Sequence, residues 1–168
     1  DWSSDVCSSD LTAAHAGSRP VSPAVASLLE EERAKGVGTP GYYAAFAERV
    51  NGLRAALVRL LGEIRGRGGS IAAYGASAKG STLLNFYGIG RNAMDCIEFV
   101  ADRSTVKQGR LTPGSHLPIA GPEELARRRP DYTLLLTWNF AEEILGQQEA
   151  YRQAGGRFII PLPEVRVG

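Results

Sequence analysis

The chain has 168 residues, 43% of them hydrophobic and 22% charged, with 19 lysines and arginines against 18 aspartates and glutamates. That is enough apolar material for one domain with its own core plus a helical extension, and too even a charge for a nucleic-acid surface. No stretch approaches the roughly 18–20 consecutive apolar residues of a membrane span, so no membrane partner is expected.

Residues 1–11, Asp1-Trp2-Ser3-Ser4-Asp5-Val6-Cys7-Ser8-Ser9-Asp10-Leu11, are polar and unlike the rest of the chain. They have neither the basic start nor the apolar centre of a signal peptide. As a string they resemble the translation of a sequencing-library adapter, and they are read as an artefactual tail; the alternative is a native disordered tail. Without their three aspartates the balance is 19 basic against 15 acidic residues, a charge of +4, with the arginines scattered. Cys96 is then the remaining cysteine. An internal disulfide or a cysteine-based zinc site is excluded from this stretch, and a reducing cytoplasm fits. His15 and His116 are too few for a metal cluster.

Residues 12–39 read as an extended connector followed by a short helix from Ser22-Pro23 to about Lys35, stopped by Gly36-Val37-Gly38. Over residues 40–66, Tyr43, Phe46, Val50, Leu53, Leu57, Leu60, Leu61 and Ile64 recur at spacings of three and four. That periodicity predicts one long amphipathic linking helix.

Residues 67–168 alternate strand and helix. Strands are expected over 70–74, 97–101, 117–120, 132–137 and 158–161, and helices over 79–87, 122–129 and 140–154. Apolar strands separated by helices imply a three-layer α/β, Rossmann-like domain with a mostly parallel sheet and right-handed crossovers.

The segment with chemical content is Gly75-Ala76-Ser77-Ala78-Lys79-Gly80-Ser81. Gly75 and Gly80 match the first and third glycines of a dinucleotide fingerprint, while Ser77 replaces the middle one. Small residues there let the backbone approach a phosphate, and the following helix turns its unpaired N–H groups toward the anion. Ser77 blocks the closest approach but offers a hydroxyl, and Lys79 puts a positive charge where only an anion offsets it. Asp102 lies 22 residues beyond Gly80, about where an acidic residue binds ribose hydroxyls. The alternative is a tight turn with no ligand and Asp102 as a cap.

The polar loop 102–116 carries Arg103, Lys107 and Arg110, suited either to an anion over the ligand crevice or to plain solvation. Trp138-Asn139 ends the leucine-rich strand on the same edge. There it either takes a base or sugar, or Trp138 packs and Asn139 caps the next helix. Glu142 and Glu143 read as first-turn helix residues rather than an acid/base pair. No catalytic constellation presents itself.

Taken in order, Gly75-Ala76-Ser77-Ala78-Lys79-Gly80, Asn85, Asp102-Arg103, Lys107-Gln108-Gly109-Arg110, Pro113-Gly114-Ser115-His116-Leu117-Pro118-Ile119, Pro130-Asp131-Tyr132, Trp138-Asn139-Phe140, Glu143-Ile144 and Pro161-Leu162-Pro163 resemble the carboxy-terminal domain of SAM-dependent sugar C-methyltransferases. The resemblance runs from about Val21 to Val165. It implies methyl transfer to a carbon of a nucleotide-linked deoxysugar, with a base removing the proton beside a ketone. It also implies a missing upstream SAM domain carrying the catalytic base, whose last strand Thr12–Gly17 resembles, and a zinc domain before that.

On this reading the chain binds substrate through Gly75, Ser77, Lys79, Gly80, Ser81, Asp102, Lys107, Trp138 and Asn139. It holds neither SAM nor a catalytic residue and is inactive alone. Ser81 departs from the asparagine that the resemblance leads one to expect. Two other readings remain: a stand-alone NAD-type domain, against which Ser77 argues, and a ligand-free assembly module using the long helix.

Overall fold

The computed structural model describes residues 15–168. The proposed foreign tail and the first residues of the connector lie outside the described residues. Contacts divide the chain between residues 46 and 47 into two compact units.

In the first unit, helix α1 spans Pro23–Ala34. Pro23 sits in the first turn, where its missing N–H is no loss, and the Ser22 side chain accepts from the Ala24 amide at 3.3 Å. No residue of α1 is buried, and Val25, Leu28 and Leu29 remain exposed. Of the stretch 12–17 that resembles a strand, His15 to Gly17 enter a turn closed by the Ser18 amide on the His15 carbonyl at 3.1 Å.

Helix α2 spans Pro40–Gly66, and from Ala47 onward it belongs to the second unit. There follow β1 (Ile71–Tyr74), α3 (Ala78–Tyr87), β2 (Val100–Ala101), β3 (Ile119–Ala120), α4 (Glu123–Arg128), β4 (Tyr132–Leu135), α5 (Ala141–Gln147), α6 (Glu149–Gln153), β5 (Arg157–Ile160) and β6 (Arg166–Val167). The sheet order is β3-β2-β1-β4-β5-β6; the first five strands run parallel and β6 antiparallel to β5. The expected α/β Rossmann-like architecture is therefore present, in the 3-2-1-4-5-6 order of nucleotide-binding folds.

Each strand alternates between two cores, as a period of two requires. Ile71, Ala73, Val100, Leu134 and Ile159 join Leu57, Leu61 and Ile64 of α2 and Leu83, Leu84 and Tyr87 of α3 on one face. Ala72, Tyr74, Ala101, Leu135, Phe158 and Ile160 join Leu125, Ile144 and Tyr151 of α4, α5 and α6 on the other. Each fully buried Leu or Ile contributes roughly 1.5–3 kcal/mol. The stripe of α2 thus rests on the sheet through its second half.

Register between β1 and β4 is pinned at their amino ends. Asp131 Oδ2 accepts from the Ser70 amide at 2.8 Å and from its hydroxyl at 2.7 Å, while Ser70 Oγ accepts from the Asp131 amide at 3.0 Å. Buried Tyr151 is equally satisfied, donating to the Pro130 carbonyl at 2.8 Å and accepting from Thr133 Oγ1 at 2.9 Å. Burial pushes its phenol up to about 12.

Beyond shifts of one or two residues at element ends, as where β3 begins at Ile119 and β4 ends at Leu135, three local features differ from the sequence expectation. The expected 140–154 helix breaks at Gln148, whose backbone leaves the helical region at φ −104°, ψ 28°, just after the poor helix former Gly146. The expected 97–101 strand pairs in regular ladder only at Val100–Ala101, although the Glu98 amide also donates to the Ile71 carbonyl at 2.9 Å. Edge strand β6 carries no periodic signal, and its two residues pair with Ile159 and Ile160.

Candidate functional site

In a sheet of this order the crevice lies where the chain direction reverses, outside the carboxyl ends of β1 and β4. Gly75 follows β1 there, at φ +90°, a conformation costly for a side chain. A Cβ at Gly75 would lie 2.5 Å from Thr137 Cγ2, just beyond β4. The glycine thus meets a steric need as well as a conformational one.

Ser77 is the N-cap of α3. Its hydroxyl accepts from the Gly80 amide at 3.0 Å and donates to the Leu136 carbonyl at 3.2 Å. Gly80 packs against Leu136, where a Cβ would come within 2.7 Å of the Leu136 Cβ. The Ser81 amide closes the first helical turn onto the Ser77 carbonyl at 2.9 Å. Two amides of the turn, those of Ala78 and Lys79, have no partner among the described residues, and the exposed Lys79 ammonium has none either. Two free N–H groups at a helix start beside a free cation make an electropositive corner.

Asp102 does not face that corner as a free carboxylate. It is 9% exposed; Oδ2 accepts from the Ala76 amide at 2.7 Å and Oδ1 from the Ser104 amide at 2.8 Å. Lys107 Nζ lies 3.5 Å from Oδ2 and donates to the Ala76 carbonyl at 2.9 Å. Gln108 Nε2 donates to the Asp102 carbonyl at 3.0 Å. These side chains hold the β1–α3 turn from the β2 side.

The basic loop is an ordered return rather than a loose flap. Its Gly109 amide donates to the Ile119 carbonyl and the Ile119 amide to the Arg110 carbonyl, while buried Thr112 and Ser115 share a 2.6 Å hydroxyl contact. Asn85, at the end of α3, donates to the Pro113 carbonyl at 3.0 Å. The Arg103 and Arg110 side chains stay exposed.

Trp138 and Asn139 start a single 3-10 turn after β4. Trp138 is half-buried and packs against both cores. Asn139 is exposed and does not cap α5, whose cap residue is Phe140 with no side-chain bond. Together with Phe140, Glu142, Glu143 and Arg166 they line a depression of about 390 Å³. The carboxyl edge therefore collects the Gly75–Ser81 turn, Asp102, Lys107, Trp138 and Asn139, with Asp102 and Lys107 acting on the turn.

Sequence reading missed two groups at this edge. The buried hydroxyls of Tyr74 and Thr137 have no hydrogen-bond partner. Only the glycine beside Tyr74 hinted that another side chain presses on this turn, and nothing in the sequence marks Thr137 as that side chain.

Among the described residues no group of three or more His, Cys, Asp or Glu side chains is placed to hold a metal ion, and no helix is long and apolar enough to cross a membrane. Buried Cys96 has its thiol pushed up to about 11 by desolvation.

Comparison with known proteins shows the family. The family described as "C-methyltransferase C-terminal domain" matches residues 8–163. The chain is also 43% identical over 152 residues to "C-methyltransferase NovU" of Streptomyces niveus, an alignment covering 90% of this chain and 36% of that protein. The chain thus spans little more than a third of the length of the curated relative it matches. With the family match running through every strand of the parallel sheet, the chain belongs to the C-methyltransferase C-terminal domain family.

Proposed function

We propose that the whole protein is a SAM-dependent C-methyltransferase acting on a nucleotide-linked deoxysugar, and that this chain supplies part of the sugar-nucleotide site. The observation that carries the reading is the electropositive corner of the Ala78 and Lys79 amides and the Lys79 ammonium, at the switch point of the sheet. It suits the diphosphate of such a substrate. Trp138 and Asn139, on the β4 side of the same edge, suit a base or sugar face. A reducing cytoplasm is the setting that the buried, unpaired Cys96 suits.

SAM supplies the methyl group in this chemistry, and the turn does not fit it. An adenosyl ribose is held by a free carboxylate at the end of the second strand, whereas both Asp102 oxygens already accept backbone amides. The same argument weighs against NAD, which the strand order by itself would favour.

Titration calorimetry of the chain with a thymidine diphosphate sugar, NADH and SAM tests the reading. Binding of the nucleotide sugar is expected, weakened by Lys79→Ala; binding of NADH alone overturns it. A methyl-transfer assay on this chain alone is expected to give no turnover.

A further inference from the structure

Buried polar side chains of this domain are otherwise well partnered, as Tyr151, Thr133, Thr112 and Ser115 illustrate. Among the described residues, the two buried side-chain polar atoms left without a hydrogen bond are Tyr74 Oη and Thr137 Oγ1, and both residues border Gly75. A buried hydroxyl without a partner carries its desolvation cost uncompensated, and a ligand that bonds to it removes that cost.

Tyr74 closes β1 and is 4% exposed. Its ring belongs to the core on the α5 and α6 side, so its hydroxyl lies across the sheet from the α3 amides. Arg103, Asp102 and Glu143 act on it electrostatically, and Gln148 lies beside it without a hydrogen bond of normal geometry. Burial raises its pKa, so it remains a proton donor. Arg103 and Glu143, with Asp102 already offset by Lys107, leave little net charge around a neutral phenol to attract a dianion. They suit an uncharged hydroxyl or carbonyl.

We propose that the Tyr74 hydroxyl is a specificity group of the carboxyl edge, hydrogen-bonding the sugar portion of the nucleotide sugar while the α3 corner takes the diphosphate. This rests on the function proposed above. Arg103, which is exposed, and Gln148, which is half-buried, both act on this hydroxyl, and the proposal takes rotation of these long side chains as the ligand's way in.

The test is calorimetry with a thymidine diphosphate sugar and with thymidine diphosphate, alongside thermal unfolding, on the wild-type chain and on Tyr74→Phe and Tyr151→Phe. Tyr74→Phe is expected to weaken the nucleotide sugar roughly three- to tenfold, leave thymidine diphosphate unchanged and unfold at or above the wild-type midpoint. Tyr151→Phe, which loses a partnered hydroxyl, is expected to unfold earlier with both affinities intact. Unchanged sugar-nucleotide affinity in Tyr74→Phe overturns the assignment, as does equal weakening of both ligands. If the wild-type chain binds neither ligand, the proposed function falls and this assignment with it.

Discussion

Asp102 and Lys107 grip opposite ends of residue 76: the carboxylate accepts from the Ala76 amide at 2.7 Å, the ammonium donates to the Ala76 carbonyl at 2.9 Å, and the two charges stand 3.5 Å apart. Asp102 is the more buried partner and also holds the Ser104 amide. Asp102→Ala is therefore expected to destabilise the domain by about 2–4 kcal/mol, by stranding two amides and a partly buried cation. Lys107→Met is expected to cost about 1 kcal/mol or less, since its ammonium can reach solvent. Urea unfolding of the two variants checks the order; equal costs would contradict it.

Ser77 replaces the central glycine of a dinucleotide fingerprint but serves as a helix cap. Ser77→Ala is expected to cost about 1–2 kcal/mol, from the lost bond to the Gly80 amide and the unpaired Leu136 carbonyl. Ser77→Gly restores the fingerprint in sequence, yet NADH binding is not expected to appear, because Asp102 remains bonded to backbone. Calorimetry with NADH on that variant decides the point.

Gly75 faces Thr137 across the β1–β4 crevice. Gly75→Ala is expected to cost about 2–4 kcal/mol, combining a positive φ with the clash. Thr137→Ala removes the two atoms that a new Cβ would meet within 2.6 Å. The double variant should therefore recover part of the loss and keep about 1 kcal/mol of backbone strain. A strictly additive pair in denaturant unfolding would refute the steric account.

The bonds from Ser70 hold the Asp131 carboxyl below its usual value of 3.8. A native pKa lower than the unfolded one stabilises the fold above the unfolded pKa and loses that stabilisation as pH falls through the native value. The wild-type chain should thus lose stability below about pH 4, and Ser70→Ala should flatten that part of the profile. Stability against pH in the acid range, with and without the Ser70 hydroxyl, measures it.

The three-layer architecture, the long helix and the β1–α3 turn are legible in the sequence because each rests on local chemistry: apolar runs bounded by glycine, a spacing of three and four from Tyr43 to Ile64, and the small residues from Gly75 to Gly80. The break at Gln148 and strand β6 are not legible. A helix interrupted for one residue keeps its composition, and a two-residue edge strand exists only through its partner's hydrogen bonds.

By itself, then, the sequence determined the main strands and helices, though not β6 or the break at Gln148, and that small residues crowd the end of β1. Tertiary structure alone decided what those residues do. Asp102 stands where a ribose-binding carboxylate would, but a side chain's partners depend on backbone brought within 3 Å from distant parts of the chain, here the Ala76 amide. The same holds for Tyr74, whose hydroxyl is without a partner only because the surrounding core removes it from water.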